Sequence, residues 1–296
     1  MADKSAHIHD ELLGYVPRAG LRGSGSGGVS VTIDADSLRV NGSGPASNEG
    51  AILAVGDSYT FGEDVGDAET WPAQLQKLTG RRVLNGGVSG YGFDQIVLRA
   101  EQLAAVHAPS IVIASFIAAD VQRTEMYRLW GYDKPWFECD GDGLALRGVP
   151  VPDHTLLSLP ARRRIERVLF ELPYFLQRGL SYHKRAHRAG SGREIACRLA
   201  ERLARLQGPP GPRVVVLAQY DPHAWIERAF ANEQRALTKP VLDCAAAHGV
   251  ATLDSFARLA AEPRPRDFYG TYHMNARGNL LIARLLAATL PALLKG

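Results

Sequence analysis

The hydrophobic pattern of the chain changes at residue 51. From there on, apolar runs of strand length alternate with longer stretches in which apolar residues recur every three or four positions. The short runs indicate strands of a parallel sheet buried on both faces, and the longer stretches indicate amphipathic helices. The predicted strands are 51–55, 82–85, 110–117, 213–218 and 249–253, and the predicted helices are 70–78, 94–106 and 275–294. This alternation predicts an α/β fold with a doubly wound parallel sheet of about five strands.

Residues 1–50 are polar and rich in glycine, and they form an N-terminal extension in front of a domain that spans 51–296. Within the extension, residues 29–33 alternate between apolar and polar, as a half-exposed strand does. Residues 38–41 are placed to pair with them across a short turn. We expect this β extension to pack on an edge of the sheet or to frame the functional site.

The interval 121–211 is too long for a simple connection between two strands, and it therefore predicts an insertion. It contains a predicted hairpin, 136–139 with 144–146, that turns at an Asp-Gly-Asp-Gly stretch. A basic and apolar segment, 162–188, follows. Beside a functional edge such a segment is expected to act as a lid. A membrane-surface helix, which Pro173 and Gly179 oppose, and an oligomer contact are the alternatives.

Composition narrows the possible partners. The chain has 296 residues, 46% of them apolar, and its net charge of +3 is too small to predict a nucleic-acid partner. Its three cysteines are widely spaced, so neither a disulfide framework nor a zinc site is expected, and no cofactor is indicated. The N-terminus lacks the pattern of a signal peptide, and membrane association is not expected. We expect a cytoplasmic protein as the sequence stands, or a periplasmic or extracytoplasmic one if an N-terminal anchor was trimmed; the oligomeric state stays open.

The first predicted strand of the sheet ends in Gly56-Asp57-Ser58. Ligands of open α/β sheets bind beyond the carboxyl ends of the strands, and Ser58 is expected there. A serine at that edge becomes a nucleophile if a base reaches it. The alternative is a turn serine that caps the following helix.

Three stretches of the chain together carry a resemblance to a known family. They are Gly56-Asp57-Ser58-Tyr59-Thr60-Phe61-Gly62, Asn85-Gly86-Gly87-Val88-Ser89-Gly90 and His273-Met274-Asn275-Ala276-Arg277-Gly278. They resemble the first, second and last signature blocks of the SGNH (GDSL-type) hydrolases, and the resemblance covers roughly residues 10–295. It implies the flavodoxin-like SGNH hydrolase fold, an acyl-enzyme on Ser58, and His273 as general base and then general acid. It also implies that the Ser58 and Gly90 amides hold the oxyanion.

Two positions depart from the family pattern. The third block, usually Gly-x-Asn-Asp, has Ala119 where the asparagine that donates to the oxyanion is expected. The last block has Gly270 where an aspartate usually stands three residues before the histidine. Asp267 is the nearest carboxylate along the chain and is our candidate to orient His273, with a backbone carbonyl as the alternative.

Further residues are expected to bind substrate at the same edge. Arg123, with Asp120, lies near the position of the lost asparagine, where a cation can stabilise an oxyanion or hold an acidic substrate. A surface salt bridge is the competing interpretation for Arg123, and Gln122 and Asn85 are the other replacement donors. The fourth predicted strand leads into a segment that contains Asp221 and Trp225, which we expect to line the pocket. Asp221 and His223 have the Asp-x-His spacing of a rearranged branch of the superfamily, but His273 matches the family pattern better.

The resemblance implies a serine esterase that acts on an O-acyl ester, such as an O-acetyl ester, of a carbohydrate or small metabolite. Two alternatives stay open. The same acyl-enzyme can pass its acyl group to a sugar hydroxyl, which would make the protein an O-acyltransferase. The missing asparagine and aspartate are also compatible with a non-catalytic, carbohydrate-binding member of the fold.

Overall fold

The computed structural model describes residues 6–25, 28–42, 46–141, 143–153 and 184–293. Its strands are β1 (His7–Asp10), β2 (Gly14–Pro17), β3 (Arg22–Ser24), β4 (Ser30–Thr32), β5 (Ser47–Val55), β6 (Arg81–Asn85), β7 (Ile111–Phe116), β8 (Met126–Leu129), β9 (Tyr132–Asp133), β10 (Trp136–Asp140), β11 (Gly143–Arg147), β12 (Arg185–Ala186), β13 (Arg213–Ala218) and β14 (Ala251–Asp254). Its α-helices are α1 (Ser58–Phe61), α2 (Trp71–Thr79), α3 (Phe93–His107), α4 (Ala118–Arg123), α5 (Gly192–Ala204), α6 (Arg228–Ala247), α7 (Phe256–Ala260) and α8 (Ala276–Leu293). Two 3₁₀ helices, Pro222–Trp225 and Pro265–Phe268, complete the assignment.

The centre of the domain is a parallel sheet with five strands in the order β14-β13-β7-β5-β6. The predicted α/β doubly wound fold is confirmed, and the strand order is that of flavodoxin-like proteins. The chain winds outward in both directions from β5 and β7. Their carboxyl ends therefore form the switch point where open α/β sheets bind ligands.

Alternate residues of the sheet strands pack into two hydrophobic layers, one on each face. Leu53 of β5 belongs to the layer covered by α3, α5 and α6, and its neighbour Ile52 belongs to the layer covered by α2 and α8. Both side chains are fully buried. Two-sided burial explains why the strands are continuous apolar runs in the sequence.

The N-terminal extension pairs as the sequence predicts and adds further partners. Residues 32–34 pair with 38–40 around the predicted turn, through the Ile33–Arg39 bridge and the backbone hydrogen bonds from Val40 to Thr32 and from Asp34 to Leu38, both 2.9 Å. The antiparallel ladder of β4 with β3 was not predicted. Arg39 also bridges to Asn85 of the edge strand β6. The extension thus packs on the sheet edge.

In the insertion, β10 and β11 form the predicted hairpin with antiparallel register. The predicted lid segment, 162–188, lies largely outside the described residues, which resume at 184. Within the part of the chain that the structure describes, no helix has the length and apolar character needed to cross a membrane.

Cys197 of α5 and Cys244 of α6 form a disulfide, which the sequence analysis did not expect. The two cysteines are 47 residues apart in sequence, but α5 and α6 pack side by side and bring their Cα atoms to 5.4 Å. This separation is within the range that a disulfide requires. The third cysteine, Cys139, is a partly buried free thiol.

Candidate active site

Ser58 is the first residue of α1 and follows β5 after a tight turn. The Asp57 carboxylate caps the helix by accepting a hydrogen bond of 2.9 Å from the Tyr59 amide. Gly56 is required in this turn, because a Cβ there would lie 2.1 Å from Thr60 Oγ1 and 2.8 Å from the Ser115 carbonyl oxygen. The tight turn therefore places the Ser58 hydroxyl at the switch point of the sheet.

The structure brings His273 to Ser58, 215 residues away in sequence, with 3.0 Å between Nε2 and Oγ. The loop that carries His273 is closed by a backbone hydrogen bond of 2.8 Å from the Gly270 amide to the His273 carbonyl. The Tyr59 hydroxyl donates to the Tyr272 carbonyl at 2.8 Å, and its ring packs edge-on against the imidazole. The imidazole is thus positioned by both the loop backbone and the helix that carries Ser58.

The carboxylate beside His273 is Asp64, whose Oδ2 lies 3.5 Å from Nδ1. A Cβ built on Gly270 would lie 3.4 Å from the same oxygen. The Asp64 carboxylate therefore occupies the space toward which the side chain of an aspartate at position 270 would point. The carboxylate that the last block lacks is supplied from the loop after the first block.

Asp267, the sequence candidate for this role, lies elsewhere. Its carboxylate pairs with Arg264 at 3.1 Å and is 40% exposed. The 3₁₀ helix that contains Asp267 precedes the His273 loop, and the structure does not bring the Asp267 carboxylate to the imidazole. We therefore correct the expectation and assign Asp64 instead.

Arg39, from the N-terminal extension, fixes the loop that carries Asp64. Its guanidinium is completely buried and pairs with Asp67 at 3.2 Å. It also donates to the carbonyl oxygens of Ser30, Phe61, Gly62 and Val65. Three of these carbonyls lie within three residues of Asp64, so the extension rigidifies the segment that positions the carboxylate.

Arg123 lies between two buried carboxylates. Its Nη1 is 2.6 Å from Asp120 Oδ1 and 3.6 Å from Asp57 Oδ2, and it donates to the Tyr91 carbonyl at 2.9 Å. The competing interpretation was a surface salt bridge with Asp120 or Glu125. The salt bridge with Asp120 is present, but it is buried, since the Arg123 side chain is only 11% exposed. The Asp57 carboxylate is in turn 3.5 Å from Ser58 Oγ, which connects the guanidinium to the nucleophile.

Burial and neighbouring charges together set the pKa values of this cluster. Burial raises the pKa of Asp57, and burial together with the Asp57 charge raises the pKa of Asp120 well above its ordinary value. Burial by itself lowers the pKa of Arg123, but the charges of Asp120 and Asp57 outweigh it and raise that pKa. The guanidinium therefore remains a cation beside Ser58.

Asp120 is fully buried, and its Oδ2 accepts a hydrogen bond of 2.9 Å from the Ile117 amide. This placement corrects the expectation that it binds substrate, because its side chain faces the protein interior and Arg123. We assign it as a positioning residue for the guanidinium. Of the other replacement donors, Gln122 is exposed, and Asn85 is buried with Oδ1 accepting from the Gly87 amide at 3.1 Å.

Gly90 has a φ of +83°, and a Cβ there would lie 2.9 Å from Trp130 Cδ1 and 3.0 Å from Tyr15 Oη. Only glycine fits this conformation without strain. The Tyr15 hydroxyl donates to the Ser89 carbonyl at 2.9 Å, which fixes the peptide before Gly90. Among the described residues, the amides of Ser58 and Gly90 donate to no protein acceptor. Both are therefore free to bind a substrate oxygen.

Asp221 and Trp225 follow β13 and lie on the same side of the sheet as Ser58. The Asp221 carboxylate caps the 3₁₀ helix and accepts hydrogen bonds from the His223 ring at 2.9 Å and the Gln234 side chain at 2.8 Å. The Trp225 indole donates to the Tyr269 hydroxyl at 3.1 Å. The Trp225 contact supports the segment that leads into the His273 loop, and contact of either side chain with substrate stays a prediction.

The sequence analysis missed Asp64 and Arg39. A signal for Asp64 was present, since the absence of a carboxylate at Gly270 required one from another loop, and Asp64 lies two residues after the first block. No sequence pattern pointed to Arg39. Within the described residues, no group of three or more His, Cys, Asp or Glu side chains is arranged to hold a metal ion.

The α/β fold and the contact between Ser58 and His273 are those expected of an ester hydrolase, and comparison with known proteins agrees with this class. Residues 54–281 match the model of the GDSL-like lipase/acylhydrolase family. The chain belongs to this family, whose members include ester-hydrolysing enzymes, and is itself an enzyme that acts on ester bonds. No curated protein matches the chain.

Solved structures are similar to the chain at low sequence identity, and the first of the three described here supports the fold with a TM-score above 0.5. LAE5, described as an alpha/beta hydrolase from the metagenome of Lake Arreo, Spain, has 16% identity and a TM-score of 0.53, over 84% of this chain and 97% of its own. A lipase/acylhydrolase from Enterococcus faecalis has 14% identity and a TM-score of 0.49, over 82% and 95%. A catalytic mutant of Axe2, an acetylxylan esterase from Geobacillus stearothermophilus, has 13% identity and a TM-score of 0.49, over 83% and 95%.

Proposed function

We propose that the protein is a serine esterase that hydrolyses an O-acyl ester of a carbohydrate or small metabolite through an acyl-enzyme on Ser58. The observation that carries the proposal is the alignment of three side chains. Ser58 Oγ lies 3.0 Å from His273 Nε2, and His273 Nδ1 lies 3.5 Å from Asp64 Oδ2. With the imidazole proton on Nδ1, facing Asp64, Nε2 is free to accept the serine proton.

In the first half of the reaction, Ser58 Oγ attacks the ester carbonyl carbon while its proton passes to His273 Nε2. The carbonyl oxygen becomes an oxyanion and accepts hydrogen bonds from the Ser58 and Gly90 amides. The carbon–oxygen bond to the alcohol then breaks, and the alcohol leaves with the proton from Nε2. In the second half, water attacks the acyl-enzyme by the same route, releasing the carboxylic acid and restoring the serine hydroxyl.

Arg123 is proposed to take over part of the role of the missing asparagine. Ala119, at that asparagine's position, has no donor, whereas Arg123 holds a permanent positive charge near Ser58. A cation in a partly desolvated site stabilises developing negative charge more strongly than it does in water.

The proposal is tested by turnover of 4-nitrophenyl acetate together with labelling by a fluorophosphonate. We expect the wild-type protein to turn over the ester and to incorporate one phosphonate on Ser58, as located by peptide mass spectrometry. Ser58→Ala is expected to lose both the turnover and the label. Ser24→Ala is the matched control, because Ser24 is an exposed serine on β3, and it is expected to retain both.

Two outcomes contradict the proposal. A correctly folded wild-type protein that neither turns over the ester nor takes up the label favours the non-catalytic alternative. Incubation with a sugar acceptor separates hydrolysis from transfer: a product whose mass equals acylated acceptor, formed in place of free acid, makes the protein an O-acyltransferase.

The disulfide supports the extracytoplasmic alternative for the compartment. Disulfides such as Cys197–Cys244 persist in oxidising environments and are rare in the cytosol. We therefore propose that the protein works outside the cytoplasm. Alkylation of free thiols in cells of the native host, followed by mass spectrometry, tests this proposal. Cys197 and Cys244 that are fully reduced in those cells would contradict it.

A further inference from the structure

Trp130 stands at the tip of the β8–β9 hairpin, in a two-residue turn closed by the pairing of Leu129 with Tyr132. Both turn residues have positive φ, +56° for Trp130 and +86° for Gly131. This is the backbone of a type I′ turn, in which Asn-Gly is strongly preferred. A tryptophan at the first position is strained, and such strain tends to persist where a side chain has a function.

The turn is held rigidly despite this strain. Arg128 is buried, pairs with Asp133 across the hairpin, and donates to the Gly131 carbonyl at 3.0 Å. The Tyr132 ring packs on Tyr15 with 4.5 Å between ring centroids. The position of Trp130 is therefore set by buried contacts on both sides of the turn.

These contacts place the indole over the oxyanion glycine. A Cβ built on Gly90 would lie 2.9 Å from Cδ1 and 3.2 Å from Nε1 of Trp130. The Trp130 residue is nevertheless 41% exposed, although it is a large apolar residue. Within the described residues, its indole N–H donates to no protein acceptor. A rigid aromatic surface with a free donor thus borders the reacting centre.

We propose that Trp130 is a stacking platform for the sugar ring that carries the ester. A pyranose presents a face of C–H groups, which packs on an indole, and hydroxyl or ester oxygens at its rim, which accept from the indole N–H. An acyl chain would use only the apolar face. This inference rests on the proposed esterase function, since it names the alcohol side of the ester and assigns the residue that recognises it.

The test compares two acetyl esters that share the acyl group, glucose pentaacetate and ethyl acetate, in a pH-stat assay. Ethyl acetate replaces 4-nitrophenyl acetate here because an aromatic leaving group can itself stack on an indole. Trp130→Asn restores the preferred Asn-Gly turn and removes the ring, so we expect an unchanged or higher Tm. We expect the ratio of kcat/KM for the sugar ester to that for ethyl acetate to fall on the order of 10-fold, as for the loss of an aromatic anchor.

Tyr127→Ala is the matched control. Tyr127 is an aromatic residue of β8 that is 39% exposed and has been given no role at the site, and its variant is expected to keep the wild-type ratio. A second measurement is independent of turnover. Calorimetric binding of glucose pentaacetate to Ser58→Ala is expected to weaken when Trp130→Asn is added.

The outcomes separate the two proposals. If wild-type protein hydrolyses neither ester and takes up no fluorophosphonate but binding still depends on Trp130, the esterase function is refuted and the platform stands. If both the ratio and the binding are the same in Trp130→Asn as in its parent, the platform is refuted. A variant that instead changes the preference between ethyl acetate and ethyl hexanoate also overturns the proposal, because Trp130 then contacts the acyl chain.

Discussion

Replacing Asp64 with asparagine keeps the shape of the side chain and removes its charge. When His273 takes the serine proton it becomes a cation, and Asp64 Oδ2 lies 3.5 Å from its Nδ1. Coulomb's law at this distance predicts a stabilisation of about 1.2 kcal/mol in bulk water and about 4.7 kcal/mol at the effective dielectric of a protein surface. The corresponding losses in rate are about 7-fold and about 3,000-fold.

The exposure of the pair decides where in this interval the effect falls. The side chains of His273 and Asp64 are 20% and 24% exposed, so water screens the interaction in part. We therefore expect Asp64→Asn to lower kcat by on the order of 100-fold. The fluorophosphonate labelling rate of Ser58 is expected to fall in parallel, since it depends on the same proton transfer.

Asp267→Asn is the matched control, because it makes the same substitution at the carboxylate that the sequence favoured. Asp267 is 40% exposed and pairs with Arg264, so its loss is expected to change kcat less than about 2-fold. Thermal unfolding of both variants checks that the fold is retained. A 100-fold loss in Asp267→Asn with near wild-type activity in Asp64→Asn would refute the assignment, and so would full activity in both variants.

Three further predictions concern the surroundings of the site and the stability of the fold. Gly90→Ala is expected to reduce kcat by on the order of 100-fold, because a Cβ at a φ of +83° collides with Trp130 and displaces the amide proposed to bind the oxyanion. Steady-state kinetics with 4-nitrophenyl acetate measure this effect. An unchanged kcat would exclude Gly90 from the oxyanion hole. Burial raises the pKa of Asp120 in the folded protein, so its contribution to stability is present below about pH 4 and is lost as the pH rises toward the raised pKa. Asparagine does not titrate, so Asp120→Asn does not lose this stability as the pH rises. Its unfolding free energy, relative to that of wild type, is therefore expected to rise from pH 4 to pH 7 in urea titrations. A relative unfolding free energy that falls over this range contradicts a raised pKa of Asp120. Replacing Cys197 and Cys244 by alanine is expected to lower the unfolding free energy by up to about 4 kcal/mol, because the unfolded chain regains the entropy of the open loop. Urea unfolding measures this difference. Three reactive thiols in the wild-type protein would contradict the disulfide.

Features set by residues close together in the sequence could be predicted from local patterns, and contacts between distant segments could not. The strands of the sheet and the turn at Ser58 were predictable, because apolar runs and a Gly-Asp-Ser turn are local signals. The pairing of Ser58 with His273 was expected from the resemblance of short blocks to a family. The pairing of 29–33 with 38–41 was likewise predictable from a short turn, whereas the bridge from Arg39 to Asn85, which lies 46 positions further along the chain, had no local signal.

The amino-acid sequence by itself determined the fold class of this protein and pointed to Ser58 and His273 as the candidate catalytic pair, since each is marked by neighbouring residues. Only the tertiary structure decided which carboxylate serves His273, that Arg123 is buried between two acids, and that Trp130 borders Gly90. The physical reason is that each of these contacts joins segments from different loops. Which side chains meet at such contacts depends on how the sheet and the extension pack, and no local pattern in the chain specifies that packing.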